Sequence, residues 1–250
     1  MNLIILEPGE VDRAGGVRLS GARAAHLLTV LGVAVGQTVR VGLLDGPCGV
    51  ATVRRSGDGM VELTCVFENA ASLRPRVDVL LALPRPKVMR RLWAQLAALG
   101  VGRIMLTNAE RVERPYFDTH VLTPECYRPL LVEGLQQARD TMLPAVSIHR
   151  RLKVLVEDDL DRLCGPGVRL VADPSGSASV GDAVRKRLDV EGDARLLLAV
   201  GPEGGWNAFE LGLFDAHGFR RVGMGSRTLR TDTACLALLA LAHDAMARRE

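Results

Sequence analysis

The sequence predicts an α/β protein in which a small antiparallel sheet or barrel precedes a larger, mostly parallel sheet covered by helices. Three observations carry this. Short strand patterns separated by Asp-Gly turns fill the chain ahead of Arg74. From Val77 onward, continuous apolar runs of strand length alternate with helical segments, the pattern of parallel strands buried on both faces. Near the C-terminus two glycine-rich segments each follow an apolar run, and the second opens a long apolar helix. Apolar strand, glycine turn and helix start form the usual cradle for a small polar ligand in an α/β protein.

The elements follow in order. Residues 22–31 read as one helix leading into the first sheet. Residues 39–44, 49–53 and 61–66 are short strands, separated by the Asp45-Gly46-Pro47 turn and by Ser56-Gly57-Asp58-Gly59. Arg74-Pro75-Arg76 breaks this pattern and marks a domain boundary, giving domains 1–73 and 74–250. Beyond it, residues 77–83 are a strand and residues 88–99 a helix stopped by Gly100. Residues 103–107 are a strand. Residues 123–139 are a helix with Thr123 as N-cap and Pro124 at its first position. Residues 168–172, 195–200 and 221–223 are strands, and residues 207–217 and 231–248 are helices, the last with Thr231 as N-cap.

Composition narrows the class. The chain has 250 residues, 48% hydrophobic and 24% charged, which is enough apolar mass for a real core. A formal charge of +3 is too small to argue for nucleic-acid binding, so only local clusters bear on it. Cys48, Cys65, Cys126, Cys164 and Cys235 are scattered without a C-x-x-C pair, which reads as free thiols in a reducing, cytoplasmic setting. The histidines are equally dispersed, and no metal site is expected. Residues 1–6 lack the flanks of a signal peptide, and no apolar run reaches a membrane span. The longest such run, residues 234–242, reads as a buried helix with Cys235 in the core.

The first glycine segment is Val200-Gly201-Pro202-Glu203-Gly204-Gly205-Trp206. Its glycines let a ligand approach the backbone, but it is neither G-x-G-x-x-G nor a P-loop, and a plain tight turn would look the same. Within it, Glu203 is either a cap for backbone N–H groups or an acceptor for a ligand hydroxyl or amine. The second segment is Gly223-Met224-Gly225-Ser226-Arg227-Thr228-Leu229-Arg230-Thr231-Asp232-Thr233. Between Arg220 and Arg230 stand four arginines and no acid. These read as a phosphate-attracting or anion-stabilising group or as an ordinary solvated basic turn; the dipole of the helix that follows mildly opposes arginine there, so helix energetics do not call for it, which favours the first. Two further basic groups, Arg85, Lys87, Arg90 and Arg91, then His149, Arg150, Arg151 and Lys153, read as nucleic-acid contacts or as ordinary charged surface. The first domain is neutral overall, so any RNA contact there must come from a local patch such as Arg18, Arg23 and His26.

Together the two segments resemble the paired motifs of the RsmE-type 16S rRNA uridine-N3 methyltransferases of the SPOUT superfamily. That family reads G-P-E-G-G-[FW]-[ST]-x-x-E, then L-G-x-R-I-L-R-x-E-T-A. Trp206, Asn207 and Glu210 fill the first tail here, and Thr228 and Asp232 replace the usual Ile and Glu. Residues 26–31, the Asp45-Gly46 turn, Leu99-Gly100-Val101 and Gln136-Gln137 also match. The resemblance implies an N-terminal PUA-like, RNA-binding β-barrel followed by an α/β domain with a C-terminal trefoil knot, acting as a homodimer. It implies S-adenosyl-L-methionine at Ala172, Val200, Gly201, Glu203, Gly204, Met224, Gly225, Thr228 and Leu229. Its partner would be rRNA, in the small ribosomal subunit or its precursor, met by Arg18, Arg23, His26 and Arg139. Arg230 and Arg227 are the expected catalytic pair. Gly32, Gln95, Ala98 and Asp140 depart from the family pattern. Two alternatives stay open: methylation at another RNA position, and a cofactor-retaining RNA-binding or assembly protein with weak catalysis.

Overall fold

A computed structural model describes residues 3–70, 72–188 and 194–247. The chain divides into two compact units, Met1–Arg74 with Val132–Leu143, and Pro75–Leu131 with Pro144–Glu250.

In the first unit, strands β1 (Ile4–Leu6), β2 (Gly16–Leu19), β3 (Thr38–Leu43), β4 (Cys48–Gly57) and β5 (Met60–Phe67) form one curled sheet in the order β1-β3-β4-β5-β2. Alternate residues of β4 and β5 are buried, so one face packs inward. That face joins Leu6, Leu19, Leu27, Val41, Val53 and Leu63 in one apolar core. The expected antiparallel sheet is modified in one respect: β1 runs parallel to β3. The apolar run at the start of the chain is thus a buried edge strand. The expected helix over residues 22–31 is a short α1 (Gly21–Ala25) continued by a π-helical turn over His26–Val30. Asp45 takes the left-handed conformation that its turn requires, with φ of 55°. The Thr141 hydroxyl, fully buried, donates to the Gly46 carbonyl at 2.6 Å and so holds that turn.

The second unit is built on a six-stranded parallel sheet. Its strands are β6 (Val77–Ala82), β7 (Val101–Thr107), β8 (Ala145–His149), β9 (Gly167–Ala172), β10 (Arg195–Val200) and β11 (Arg220–Val222), in the order β11-β9-β10-β6-β7-β8. Every residue of β6 is buried, as a strand covered on both faces must be. Helix α2 (Pro86–Ala98) buries Met89, Leu92, Trp93 and Leu96 at helical spacing, and Gly100 ends it at φ 72°. Helix α3 (Pro124–Ala138) starts where its Thr-Pro signal places it, and from Val132 its residues group with the first unit. A broken helix follows β8, as α4 (Leu152–Val154), a π-helical turn over Leu155–Asp159 and α5 (Leu160–Cys164). Then come α6 (Val180–Leu188), α7 (Ala208–Ala216) and α8 (Thr231–Ala247). Helix α8 packs against α2, α6, β6 and β10, and Cys235 lies in its buried face with its thiol pushed up to about 12 by burial. At the amino end of the adjacent strands β6 and β10, Arg195 grips the buried Asp78 through two bonds of 3.0 and 2.6 Å. Burial raises the Asp78 carboxyl despite that guanidinium, which pulls it down. No helix among the described residues is long and apolar enough to cross a membrane.

Candidate functional site

Strands β9, β10 and β11 end side by side at the carboxyl edge of the sheet, where open α/β folds bind ligands. Backbone bonds tie together the segments beyond β9 and β11. Asp173 N–H donates to the Val222 carbonyl at 3.0 Å, and Gly223 N–H donates to the Ala178 carbonyl at 3.0 Å. The segments that cross there are so close that a Cβ on Gly223 would collide with the Gly176 carbonyl, and one on Gly176 would lie 2.6 Å from the Val222 carbonyl carbon. Glycine at both positions is therefore a packing requirement.

A cavity of about 650 Å³, counted to its open mouth, lies over these strand ends. Ala172, Val200, Met224, Leu229 and Leu238 give it apolar walls, and Asp173, whose carboxylate accepts from Ser175, and the exposed Glu203 also line it. Eight of the nine cofactor positions expected from sequence line it: Ala172, Val200, Gly201, Glu203, Met224, Gly225, Thr228 and Leu229. Gly204 does not. A Cβ there would sit 2.7 Å from Arg111 Cδ, and the Arg111 guanidinium donates to the Gly204 carbonyl, so this glycine makes room for an arginine. The two glycine segments meet through Thr231, whose hydroxyl donates to the Gly201 carbonyl at 3.2 Å. Thr231 is thus the buried first residue of α8, not its N-cap, because its side chain is drawn across to the other loop.

The first segment is braced from behind. Asn207 and Glu210 form a capping box at the start of α7. The buried Glu210 carboxylate accepts from Asn207 N–H at 2.7 Å and from Glu110 N–H at 2.8 Å. The cap is therefore Asn207 with Glu210, and Glu203 points to solvent. Gly201 faces the Trp206 ring, with its missing Cβ 3.1 Å from Nε1, and Trp206 packs edge-on against Phe214.

Of the four arginines near the second segment, Arg221 is engaged with Asp215 and Asp173, which raises it further. Arg227 lines the cavity and is exposed, and Arg230 is exposed just ahead of α8. The expected RNA-contacting residues fare differently. Arg18 pairs with Glu62 at 2.9 Å, and Arg23 pairs with Glu10 and reaches the Ile5 carbonyl. His26 and Arg139 are exposed, Arg139 with φ of 60° just beyond α3.

Sequence reasoning missed Arg111 and the rear wall formed by Ala234 and Leu238. The N-x-x-E spacing of Asn207 and Glu210 was the one local signal for the brace. A second, larger cavity of about 1310 Å³, likewise counted to its open mouth, opens at the opposite edge of the sheet, by the start of β9. Its Arg169 is tied to Asp161 and to the His217 carbonyl, and neither glycine segment contributes to it. Among the described residues no cluster of three metal-ligating side chains occurs.

A family model described as "RNA methyltransferase domain" matches residues 72–243. The chain is 30% identical over 257 residues to ribosomal RNA small subunit methyltransferase E of Treponema pallidum, covering 97% of this chain and 92% of that one. It is 24% identical over 242 residues to ribosomal RNA small subunit methyltransferase E 1 of Borreliella burgdorferi, covering 95% of each. Its fold is similar to the crystal structure of ribosomal RNA small subunit methyltransferase E from Neisseria gonorrhoeae bound to S-adenosyl methionine. That match has a TM-score of 0.75 at 20% identity, covering 98% of this chain and 97% of that one.

Proposed function

The chain belongs to the RNA methyltransferase domain family, and from that premise we propose that it is an S-adenosyl-L-methionine-dependent rRNA methyltransferase acting on N3 of a uridine in 16S rRNA. The observation that carries this reading is the joining of the two glycine segments into one cavity at the carboxyl edge of β9, β10 and β11. The cavity suits the donor's chemistry. Its apolar walls fit a flat adenine, backbone at Gly201, Met224 and Gly225 offers donors and acceptors, and the exposed Glu203 can meet hydroxyl or ammonium groups.

When bound, the cofactor supplies a methyl group on a sulfonium. The protein's part is to hold and orient the acceptor and to stabilise charge. Uridine N3 becomes nucleophilic only as its proton leaves, and the negative charge spreads to O2 and O4. Arg230, next to the cavity and without local helix-stabilising use, faces that charge, and Arg227 on the cavity wall grips ribose or phosphate. Arg111 and Glu210 keep the Gly201–Gly205 turn in place by bonding its backbone and the neighbouring loop.

The wider reading extends the same premise. Residues 1–73 form a PUA-like, RNA-binding barrel in which His26, with Arg139 from the end of α3, is the exposed part of the expected patch. Residues 74–250 form the methyltransferase domain. The crowding of Gly176 against Val222 and Gly223 fits the tight crossing of a trefoil knot. The protein works as a homodimer in the cytoplasm, on the small ribosomal subunit or its precursor. Nucleoside mass spectrometry of 16S rRNA from a strain lacking the gene tests the reading. Loss of 3-methyluridine, restored by the wild-type gene, is expected, whereas an unchanged 3-methyluridine content would overturn it.

A further inference from the structure

The carboxyl edge of the parallel sheet has a second half. β6, β7 and β8 end flush, with Ala82 opposite Thr107 and Thr107 opposite His149. The loops after β6 and β8 are basic, and the loop after β7 adds two arginines among three acids. Arg85, Lys87 and Arg90 follow β6, Arg111 and Arg114 follow β7, and Arg151 follows β8, and all six are exposed. Neighbouring strands lie about 4.8 Å apart, so the three loops rise from a strip of sheet only about 10 Å wide.

Contacts tie these loops into one surface. Arg85 lies close enough to the Tyr116 hydroxyl to act on it electrostatically, bringing the loops after β6 and β7 together. Arg150 bonds Asp118 at 2.9 Å and lies 5.5 Å over the Phe117 ring, linking the loops after β7 and β8. Arg111 bonds the Gly204 carbonyl, which joins this surface to the turn beside the cavity. Against the six bases the β7 loop sets Glu110, Glu113 and Asp118. Glu113 accepts from the Tyr116 hydroxyl at 2.8 Å and Asp118 holds Arg150, so two of the three acids are engaged locally. Lys87 and Arg90 stand in the first turns of α2, where the helix dipole disfavours cations and no acid stands in the first turn. Helix stability does not account for them.

We propose that the loops after β6, β7 and β8 form a track for the RNA phosphate backbone that leads substrate to the cavity, with Arg114, Arg151 and Lys87 as its principal phosphate contacts. This rests on the rRNA methyltransferase reading and names which surface of the methyltransferase unit holds the polymer. A polyanion is the partner that fits, because the surface is long, positive and poor in exposed apolar side chains. Its contacts position the RNA without reading bases, so the uridine must be selected elsewhere.

The test uses the full chain, in-vitro transcribed 16S rRNA and filter binding across a salt series. Each neutralised phosphate contact contributes about 0.7–0.9 to the slope of log K against log [salt]. The triple variant Lys87→Gln/Arg114→Gln/Arg151→Gln is expected to bind on the order of 100-fold more weakly at 0.1 M salt, with a slope shallower by about 2–3. Its affinity for S-adenosylmethionine, measured by calorimetry, is expected to stay at the wild-type value, which also reports that it has folded. Arg55→Gln, which removes one exposed charge from the first unit, is the control and is expected to leave the slope unchanged. A triple variant with wild-type affinity and slope would overturn the track. Wild-type protein that binds RNA with this salt dependence yet transfers no methyl group would instead overturn the functional reading and leave the track standing.

Discussion

Two sets of arginines, one from each unit, stand in contrast. In the curled N-terminal sheet, Arg18 and Arg23 are held by Glu62 and Glu10, and Arg23 also reaches a backbone carbonyl. The hydrogen-bonded ion pair is the largest influence on each group, lowering the Glu10 carboxyl and raising the Arg23 guanidinium against the opposing effect of burial. At the carboxyl edge of the parallel sheet, Arg227 stands exposed on the cavity wall, and Arg230 is exposed in the chain between the lining residues Leu229 and Thr231. Cations with a structural partner contribute to folding, whereas cations kept exposed beside a glycine-built cavity fit chemistry on an anion. Charge counts along the sequence do not distinguish the two, because the acids that neutralise Arg18 and Arg23 lie 44 and 13 residues away.

Variants break or sharpen this contrast. The largest effect is expected at Arg230. In single-turnover methylation with saturating cofactor, Arg230→Ala should lower the rate by about 10²–10³-fold, the scale of losing one donor to a developing oxyanion. A wild-type rate would remove Arg230 from the chemistry. Gly223→Ala comes next. Its Cβ has no space against the Gly176 carbonyl, so overpacking should cost about 1–3 kcal/mol and weaken cofactor binding together with thermal stability. Retained stability with retained binding would show that the crossing segments can part. Arg23→Gln should cost only about 1 kcal/mol in thermal unfolding, since the pair is partly exposed and solvent-screened. Full stability combined with a large loss of RNA affinity would place Arg23 with the functional arginines and erase the contrast.

The smallest effect is a pH dependence. Burial lowers His149 and His243 below their ordinary value of 6.5, with Asp159 pulling His149 back up. The fold therefore favours the neutral rings. Their contribution is fully present above pH 6.5 and is lost as the pH falls from there through the folded-state values. The unfolding midpoint should drop on acidification across that window, and His243→Asn should flatten the drop. An unchanged slope in that variant would assign the dependence to other groups.

Much of the second unit was legible because its chemistry is local. β10 is a continuous apolar run ending in glycine, and α8 follows a glycine turn, so both ends of the cavity could be read from the chain. β8 was invisible because its residues 145–149 are half-buried at the sheet edge and lack an apolar signature. The helical stretch from Leu152 to Cys164 was missed because two short α segments flank a π-helical turn. In the first unit, a parallel β1 could not be read from the Asp-Gly turns, which announce only antiparallel hairpins. At the site, glycine and arginine content revealed the loops. The Arg111 bond to Gly204 spans 93 residues, and the Thr231 bond to Gly201 spans 30, and such pairings leave no trace in spacing.

The central claim is that the joined glycine loops carry methyl transfer to uridine N3. It is tested most directly by incubating purified protein with 16S rRNA, free and in small-subunit particles, and methyl-labelled S-adenosylmethionine. The labelled nucleosides are then identified by mass spectrometry. Label recovered as 3-methyluridine, and lost in Arg230→Ala, is the expected result. Label in another nucleoside, or none with either substrate while the protein binds the cofactor, would contradict the claim.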